Sequence, residues 1–209
     1  MAAKIITIAQ QKGGAGKTTV AAQLAVAFAA AGKRVAIVDI DPQASLADWY
    51  RLRNGAGARY SLDLSEVAGY RISTELTRVK SSHDIVIVDS PPHAETEAKL
   101  AVRGADLVLV PVQLSPMDIW ATGPTVQLAR AAGVPLLVVL NRVPPRGNII
   151  QIMRTKLAEQ EFPVAQATIG NRIAFAASML EGLTVLESDP RSAAAAEIRA
   201  LAEEIDARL

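Results

Sequence analysis

The sequence predicts an α/β fold, an open and mostly parallel twisted sheet with helices on both faces. Three features predict it. Short apolar runs recur along the chain, the runs are continuous rather than alternating, and segments of helical spacing lie between them. The first run, Lys4-Ile5-Ile6-Thr7-Ile8-Ala9, is β-branched, as a strand buried on both faces requires. Val20 to Ala31 is rich in Ala and Leu, and Gly32 supplies a helix stop. Further strands are expected at Arg34–Asp39, Asp84–Asp89, Asp106–Pro111 and Leu136–Asn141. Helices are expected near Ala44–Leu52, Ile72–Lys80, Ala94–Val102, Met117–Ala132 and Ile149–Glu159. Strand–helix–strand units of this kind put helices on both sides of one sheet. With no linker, repeat or low-complexity tract between them, one domain over residues 1–209 is expected.

Composition narrows the chemistry. Hydrophobic residues make up 50% of the chain and aromatics 4%, so the core is aliphatic. Lys and Arg number 22 against 21 Asp and Glu, a balance from which bulk charge names no partner. The absence of cysteine excludes disulfides, thiolate metal sites, thiol nucleophiles and cysteine-bound iron–sulfur clusters. A strand beginning almost at Met1 and no apolar run of membrane-spanning length make a cytoplasmic location the expectation.

The most informative stretch is Lys12-Gly13-Gly14-Ala15-Gly16-Lys17-Thr18-Thr19. Strand, glycine loop, helix is the order that sets a helix N-terminus against an anion. Glycines allow backbone N–H groups to turn onto phosphate oxygens, Lys17 neutralises the outer phosphates, and the Thr18 hydroxyl reaches a magnesium ion. Lys12 is an extra cation at a site that already has one, and a nucleotide held by a second copy of the chain is within its possible reach.

Carboxylates end the next strands. Asp39 and Asp41, two apart, point the same way in an extended segment, suited to orient an attacking water or hold a metal-bound one. Asp89, after four apolar residues, suits magnesium gripped through water, although a strand-ending Asp also serves as a turn or helix cap. Asn141-Arg142 offers an amide and a guanidinium to a base, or a turn-forming Asn before Val143-Pro144-Pro145. Isolated His83 and His93 are expected at the surface, and Trp49 in packing; Trp120 is open to packing or to a dimer or partner face.

In their order and spacing, Lys12–Thr19, Val-Asp-Ile-Asp-Pro-Gln at 38–43 and Ile-Val-Asp-Ser-Pro-Pro at 87–92 resemble the ParA/MinD family of deviant Walker-type ATPases. Val112–Ala121, Leu140–Val143, Gly182–Glu187 and the terminal helix extend the likeness over nearly the whole chain. The resemblance implies a P-loop NTPase fold with a deviant Walker A motif. It also implies ATP and Mg2+ as cofactors and a homodimer with two ATP molecules sandwiched between the subunits. Lys12 matches the signature lysine that reaches across the dimer, Asp41 the residue that supports hydrolysis, and Asp89 the second magnesium-site carboxylate. Lys12, Lys17 and Asp41 are thus the catalytic expectation. Gly13, Gly14, Ala15, Gly16, Lys17, Thr18, Thr19, Asn141 and Arg142 are expected to bind ATP, and Thr18, Asp39 and Asp89 the metal.

Within that family the chain looks most like the small ParA-type ATPases, which hold nonspecific DNA of the nucleoid when ATP-bound and partition or position cargo. A ParB-like or adaptor partner that stimulates hydrolysis is implied, as is nucleoid association. Arg142, Arg146, Arg154, Lys156 and Arg172 face only Glu159 and Glu161 in their segment, which reads as a DNA-binding patch or as ordinary solvated charge. The terminal helix has an apolar stripe at Ile198, Leu201 and Ile205, but Glu197, Glu203, Glu204 and Asp206 outnumber Arg199 and Arg208. An anionic membrane repels such a face, so no membrane partner is expected, against the alternative of a MinD-like division regulator. A metabolic ligase of the dethiobiotin synthetase type is the second alternative, opposed by Lys12 and the Asp-Pro-Gln segment.

Overall fold

A computed structural model describes residues 2–92 and 95–209. Its strands are β1 (Lys4–Ile8), β2 (Val35–Asp39), β3 (Asp63–Glu66), β4 (Ile85–Asp89), β5 (Leu107–Val112), β6 (Leu136–Val143) and β7 (Val164–Gly170). They form one sheet in the order β3-β2-β4-β1-β5-β6-β7, every neighbouring pair parallel. The helices are α1 (Lys17–Ala30), α2 (Ser45–Arg53), α3 (Ile72–Lys80), α4 (Glu95–Arg103), α5 (Pro116–Ala132), α6 (Ile149–Glu159), α7 (Ile173–Leu180), α8 (Val185–Ser188) and α9 (Ala193–Asp206).

Side-chain alternation divides the strands between two helical layers. In β4, Ile85 and Ile87 face α1, α8 and α9, whereas Val86 and Val88 face α3. In β5, Leu107 and Leu109 join the first layer, while Val108 and Val110 pack with α5 and α6. This two-sided burial is why the central strands read as continuous apolar runs. Helix α1 is buried from Val20 to Phe28 because it lies between the sheet and α8 and α9. It begins at Lys17 rather than Val20, so the end of the glycine motif forms its first turn.

Strands β3 and β7 were not expected, for a physical reason. Both are edge strands, and their burial is partial and irregular, so neither carries a continuous apolar run. The edge of β7 is managed by acids of α9. Glu204 accepts from the amides of Gln166 and Ala167 at 3.1 and 3.0 Å, and Glu197 from that of Gly170 at 3.0 Å. The carboxylates thus cover an edge that would otherwise present free donors. On the adjoining face of α9, Ile198, Leu201 and Ile205 are fully buried in the core. No helix among the described residues is long and apolar enough to cross a membrane.

A buried ion pair ties α2 to α8. Arg53 donates to both oxygens of Glu187, at 2.6 and 2.7 Å, and each side chain is 3% exposed. The guanidinium lies over the Trp49 ring, whose packing role is as expected. Glu187 also accepts from the Thr184 amide in a capping box at the start of α8. Replacing one partner strands the other charge in the core. Glu187→Ala is expected to cost about 3–5 kcal/mol, read as a lower urea midpoint at unchanged slope. A loss below about 1 kcal/mol, the range of an exposed pair, would show that Arg53 escapes to water.

Candidate functional site

The loop between β1 and α1 closes over the carboxyl edge of the sheet. Gly14 and Gly16 have φ of 76° and 90°, a region costly for any residue with a Cβ. Gly16 is constrained twice, because an added Cβ would sit 2.6 Å from Asn141 Nδ2. That amide donates to the Ala15 carbonyl at 2.8 Å, and Gln113 Nε2 donates to the Gly14 carbonyl at 2.7 Å. With its carbonyls held by β6 and by Gln113 just after β5, the loop leaves the amides of Gly13 to Gly16 without protein partners among the described residues. This is an anion cradle.

Lys17 is buried and donates to the Gln10 carbonyl at 3.2 Å. Burial lowers its pKa, opposed by the charges of Asp89 and Asp41. Thr18 Oγ1 donates to Asp89 Oδ2 at 2.6 Å, while Asp89 Oδ1 is buried with no partner among the described residues. Burial pushes the Asp89 carboxyl up to about 7; Asp39 and Asp41 add to the rise, and Thr18 and Lys17 oppose it. A hydroxyl and an orphaned carboxylate oxygen fit a magnesium ion. Among the described residues no cluster of three or more ligating side chains exists, so such an ion would complete its shell from phosphates and water.

Asp39, expected beside Asp89 at the metal, accepts from three backbone amides. Its Oδ2 accepts from the amides of Leu46 and Ala47 at 3.1 and 3.0 Å, and its Oδ1 from that of Asp41 at 3.0 Å. These bonds hold the start of α2 and the turn carrying Asp41, while Asp39 stands opposite Asp89 in the register of β2 and β4. Asp41 itself is half-buried, and its Oδ1 accepts from the Gln43 amide. It lies at a cleft of about 600 Å3 whose walls include Glu66, Tyr70 and Glu97.

A second cleft, of about 320 Å3, opens beside the loop between Gly16, Thr19, Asn141 and Arg142 on one side and Gly170 to Ile173 on the other. Asn141 is 5% exposed, with its oxygen accepting from the Arg142 amide at 2.9 Å. One amide hydrogen and one oxygen lone pair remain for a ligand. The wall after β7 was not foreseen, since Gly170-Asn171-Arg172-Ile173 matches no motif. Gln113 and Asp118, by contrast, lie inside the Val112–Ala121 segment and were missed only as individuals.

Lys12 stands apart from Lys17. Its Nζ is 2.7 Å from Asp118 Oδ2 at the start of α5, and its side chain is 38% exposed over a buried carboxylate. Asp118 also accepts from the Ser115 hydroxyl and donates its amide to that oxygen, capping α5. Nearby on the same turns, Met117 and Trp120 are exposed.

The expected DNA-binding cations are not gathered as free charges. Arg154 donates to the carbonyls of Ala165 and Gln166, Lys156 pairs with Glu159, and Arg172 with Glu197. Arg142 and Arg146 are exposed. His83, expected at the surface, is buried and braces β3 against α3 through Asp63 and the Val79 carbonyl. His93 lies outside the described residues.

A glycine loop after a central parallel strand, a lysine and threonine opening the next helix, and a carboxylate ending the neighbouring strand define a phosphate-loop nucleotide-binding protein. The chain belongs to the CobQ/CobB/MinD/ParA nucleotide binding domain family, whose model matches residues 6–185. It is 36% identical over 209 residues to maintenance of carboxysome distribution protein A of Gloeobacter kilaueensis, covering 97% of this chain and 94% of that protein. It is 29% identical to the chromosome-partitioning ATPase Soj of Thermus thermophilus, over 98% and 96% of the two chains. The septum site-determining protein MinD of Pyrococcus horikoshii, complexed with Mg-ADP, shares the fold at a TM-score of 0.81, with 22% identity over 98% and 96% of the chains.

Asp89 makes stability depend on pH. Its folded pKa lies above its ordinary 3.8, so between about pH 4 and 7 the folded state holds a proton that the unfolded state has lost. Stability of the ligand-free protein therefore falls as pH rises through that window. Asp89→Asn is expected to raise the melting temperature more at pH 8 than at pH 5 in the presence of a chelator. Asp39, raised chiefly by burial too, leaves a residual slope. An equal shift at both pH values would show that Asp89 is ionised throughout.

Proposed function

We propose that this chain is an ATP-dependent dimerising switch that positions cargo, with hydrolysis of Mg-ATP stimulated by a partner protein. The observation that supports it best is the division of labour between two lysines. Lys17 is buried inside the loop, where it can serve its own phosphates, whereas Lys12 is held outside the loop on a half-exposed pair with Asp118. A cation in that position suits a phosphate presented by a second subunit. Exchanging Asp118 for that phosphate links dimerisation to nucleotide state, because only the closed pair offers the new partner.

Thr18 and Asp89 would hold magnesium, which supplies charge neutralisation to the phosphates. Gly13 to Gly16 and Thr19 would cradle them with backbone amides, and Asn141 and Arg142 would border the base. Asp41, fixed by Asp39, would orient the attacking water; no strong general base accompanies it, so turnover by the protein alone is expected to be slow.

The cargo reading follows the 36% relative, named for carboxysome distribution, and favours a large protein assembly over a plasmid or chromosome. Nonspecific DNA serves as the track in this reading. Arg142 and Arg146 are its exposed candidates, while Arg154, Lys156 and Arg172 would have to leave existing partners, so the patch is smaller than the sequence suggests. A MinD-like membrane role is disfavoured because the apolar stripe of α9 is buried. For partner docking, the Ser115–Trp120 turn, with Met117 and Trp120 exposed, is a candidate; the Asp89–Ala98 loop is the other, and its residues 93 and 94 lie outside the described residues.

Three variants test the switch. Lys12→Ala is expected to bind ATP with affinity near wild type yet remain monomeric in sedimentation with an ATP analogue; normal dimerisation and turnover would remove its role in trans. Asp41→Ala is expected to dimerise with ATP and hydrolyse it at least tenfold more slowly. Lys17→Ala is expected to lose ATP binding. Anisotropy of a labelled nonspecific duplex should rise with protein in ATP and not in ADP. Its affinity should weaken with salt at about 0.9 logarithmic units per phosphate contact. Binding that ignores nucleotide would reject DNA as a switched track.

A further inference from the structure

Helix α7 turns an uncharged apolar stripe to solvent. Phe175 and Ser178 face inward. Ile173 and Leu180 are 87% and 80% exposed, more than any other large hydrophobic side chain among the described residues. Ala176 and Ala177 between them are exposed as well. The spacing i, i+3, i+4, i+7 puts all four on one helical face. Single surface hydrophobics are ordinary, but a helix face without a polar residue marks a contact. Leu52, 49% exposed, lies close by, because Gly182 just beyond α7 packs against the backbone of Leu52 and Arg53.

We propose that a second copy of this chain covers α7 in the nucleotide-bound state, the two α7 helices crossing antiparallel about a twofold axis; this rests on the dimer reading above. Three observations favour a second copy over another partner. The stripe runs large, small, small, large, so an antiparallel copy sets Ile173 of one chain beside Leu180 of the other. The alanines then allow close approach at the crossing. Self-complementarity of that kind is what a twofold interface demands. Next, Ile173 also lines the cleft bordered by Gly16 and Arg142, so the stripe starts at the rim of the nucleotide site. A pair of subunits closing over nucleotide reaches it without a separate docking event. Finally, four side chains supply far less than the roughly 800 Å2 per partner of a stable interface. The contact therefore cannot hold a dimer alone, and closes only when the nucleotide face closes with it.

The chain has no cysteine, so a single engineered one reports without background. Under mild oxidation Ala177→Cys should give a disulfide-linked homodimer with Mg2+ and a non-hydrolysable ATP analogue, at least tenfold more than with ADP. Gln160→Cys, at the end of α6, should give none. Leu180→Glu, which touches no part of the nucleotide site, should bind the analogue and melt as wild type does, yet sediment as a monomer where wild type sediments as a dimer. If Leu180→Glu dimerises normally and Ala177→Cys does not cross-link, α7 is not the interface, while the dimer reading stands. If Leu180→Glu dimerises normally but loses stimulation by a partner protein, a different protein covers the stripe and the proposal is wrong. Equal cross-linking with analogue and ADP rejects its nucleotide dependence. Wild type that stays monomeric with analogue bound overturns the dimer reading and this proposal with it.

Discussion

The site depends on the contact between Gly16 and Asn141. β1 and β6 are not neighbours, since β5 runs between them. The glycine loop after β1 nonetheless meets side chains from the ends of both β5 and β6, and they set its shape. Asn141 meets it from β6 and Gln113 from the residue following β5, each holding a carbonyl. With the carbonyls drawn outward, the amides turn inward. A side chain at position 16 would strain the backbone and also push Asn141 away, so one glycine meets two demands.

The same closure leaves charges in unfavourable surroundings. Burial lowers the pKa of Lys17 and raises those of Asp39 and Asp89. Asp39 is compensated by three backbone amides, but Asp89 keeps a buried oxygen with no partner among the described residues. A structure tuned for stability alone would not leave that oxygen orphaned. A phosphate-bound cation would complete this environment, and the instability of the free site and its affinity for such a ligand would then have one origin. The Arg53–Glu187 pair shows the contrast. It is as deeply buried but fully hydrogen-bonded, and it joins the end of α2, the following loop and α8.

Acidic residues of α9 illustrate how surface charge misleads when only its sign is known. Glu197 and Glu204 read as a face that repels anions, and they do carry negative charge. Their position shows a second task, since both accept from backbone amides on the free edge of β7. Arg172 is in turn held by Glu197, so a cation expected to be free is part of the same edge. Arg154 likewise serves two carbonyls at residues 165 and 166. Much of the charge near the C-terminal half is structural.

The sequence by itself determined the central strands, the glycine loop, and the placement of Lys17, Thr18 and Asp89. These are local or periodic signals: a strand buried on both faces needs an unbroken apolar run, and a phosphate cradle needs its glycines at set positions within one short loop. The edge strands β3 and β7 escaped because a strand covered on one side lacks that run. Tertiary structure alone decided which charges are free and which are partnered. Lys12 meets Asp118 across 106 residues, Asn141 meets Ala15 across 126, and Arg53 meets Glu187 across 134. It also decided that Asp39 anchors the turn carrying Asp41, and that the outer face of α7 is bare. Such pairings are set by the order in which parallel strands stack, and no local pattern encodes that order, because every strand of the sheet satisfies the same apolar rule.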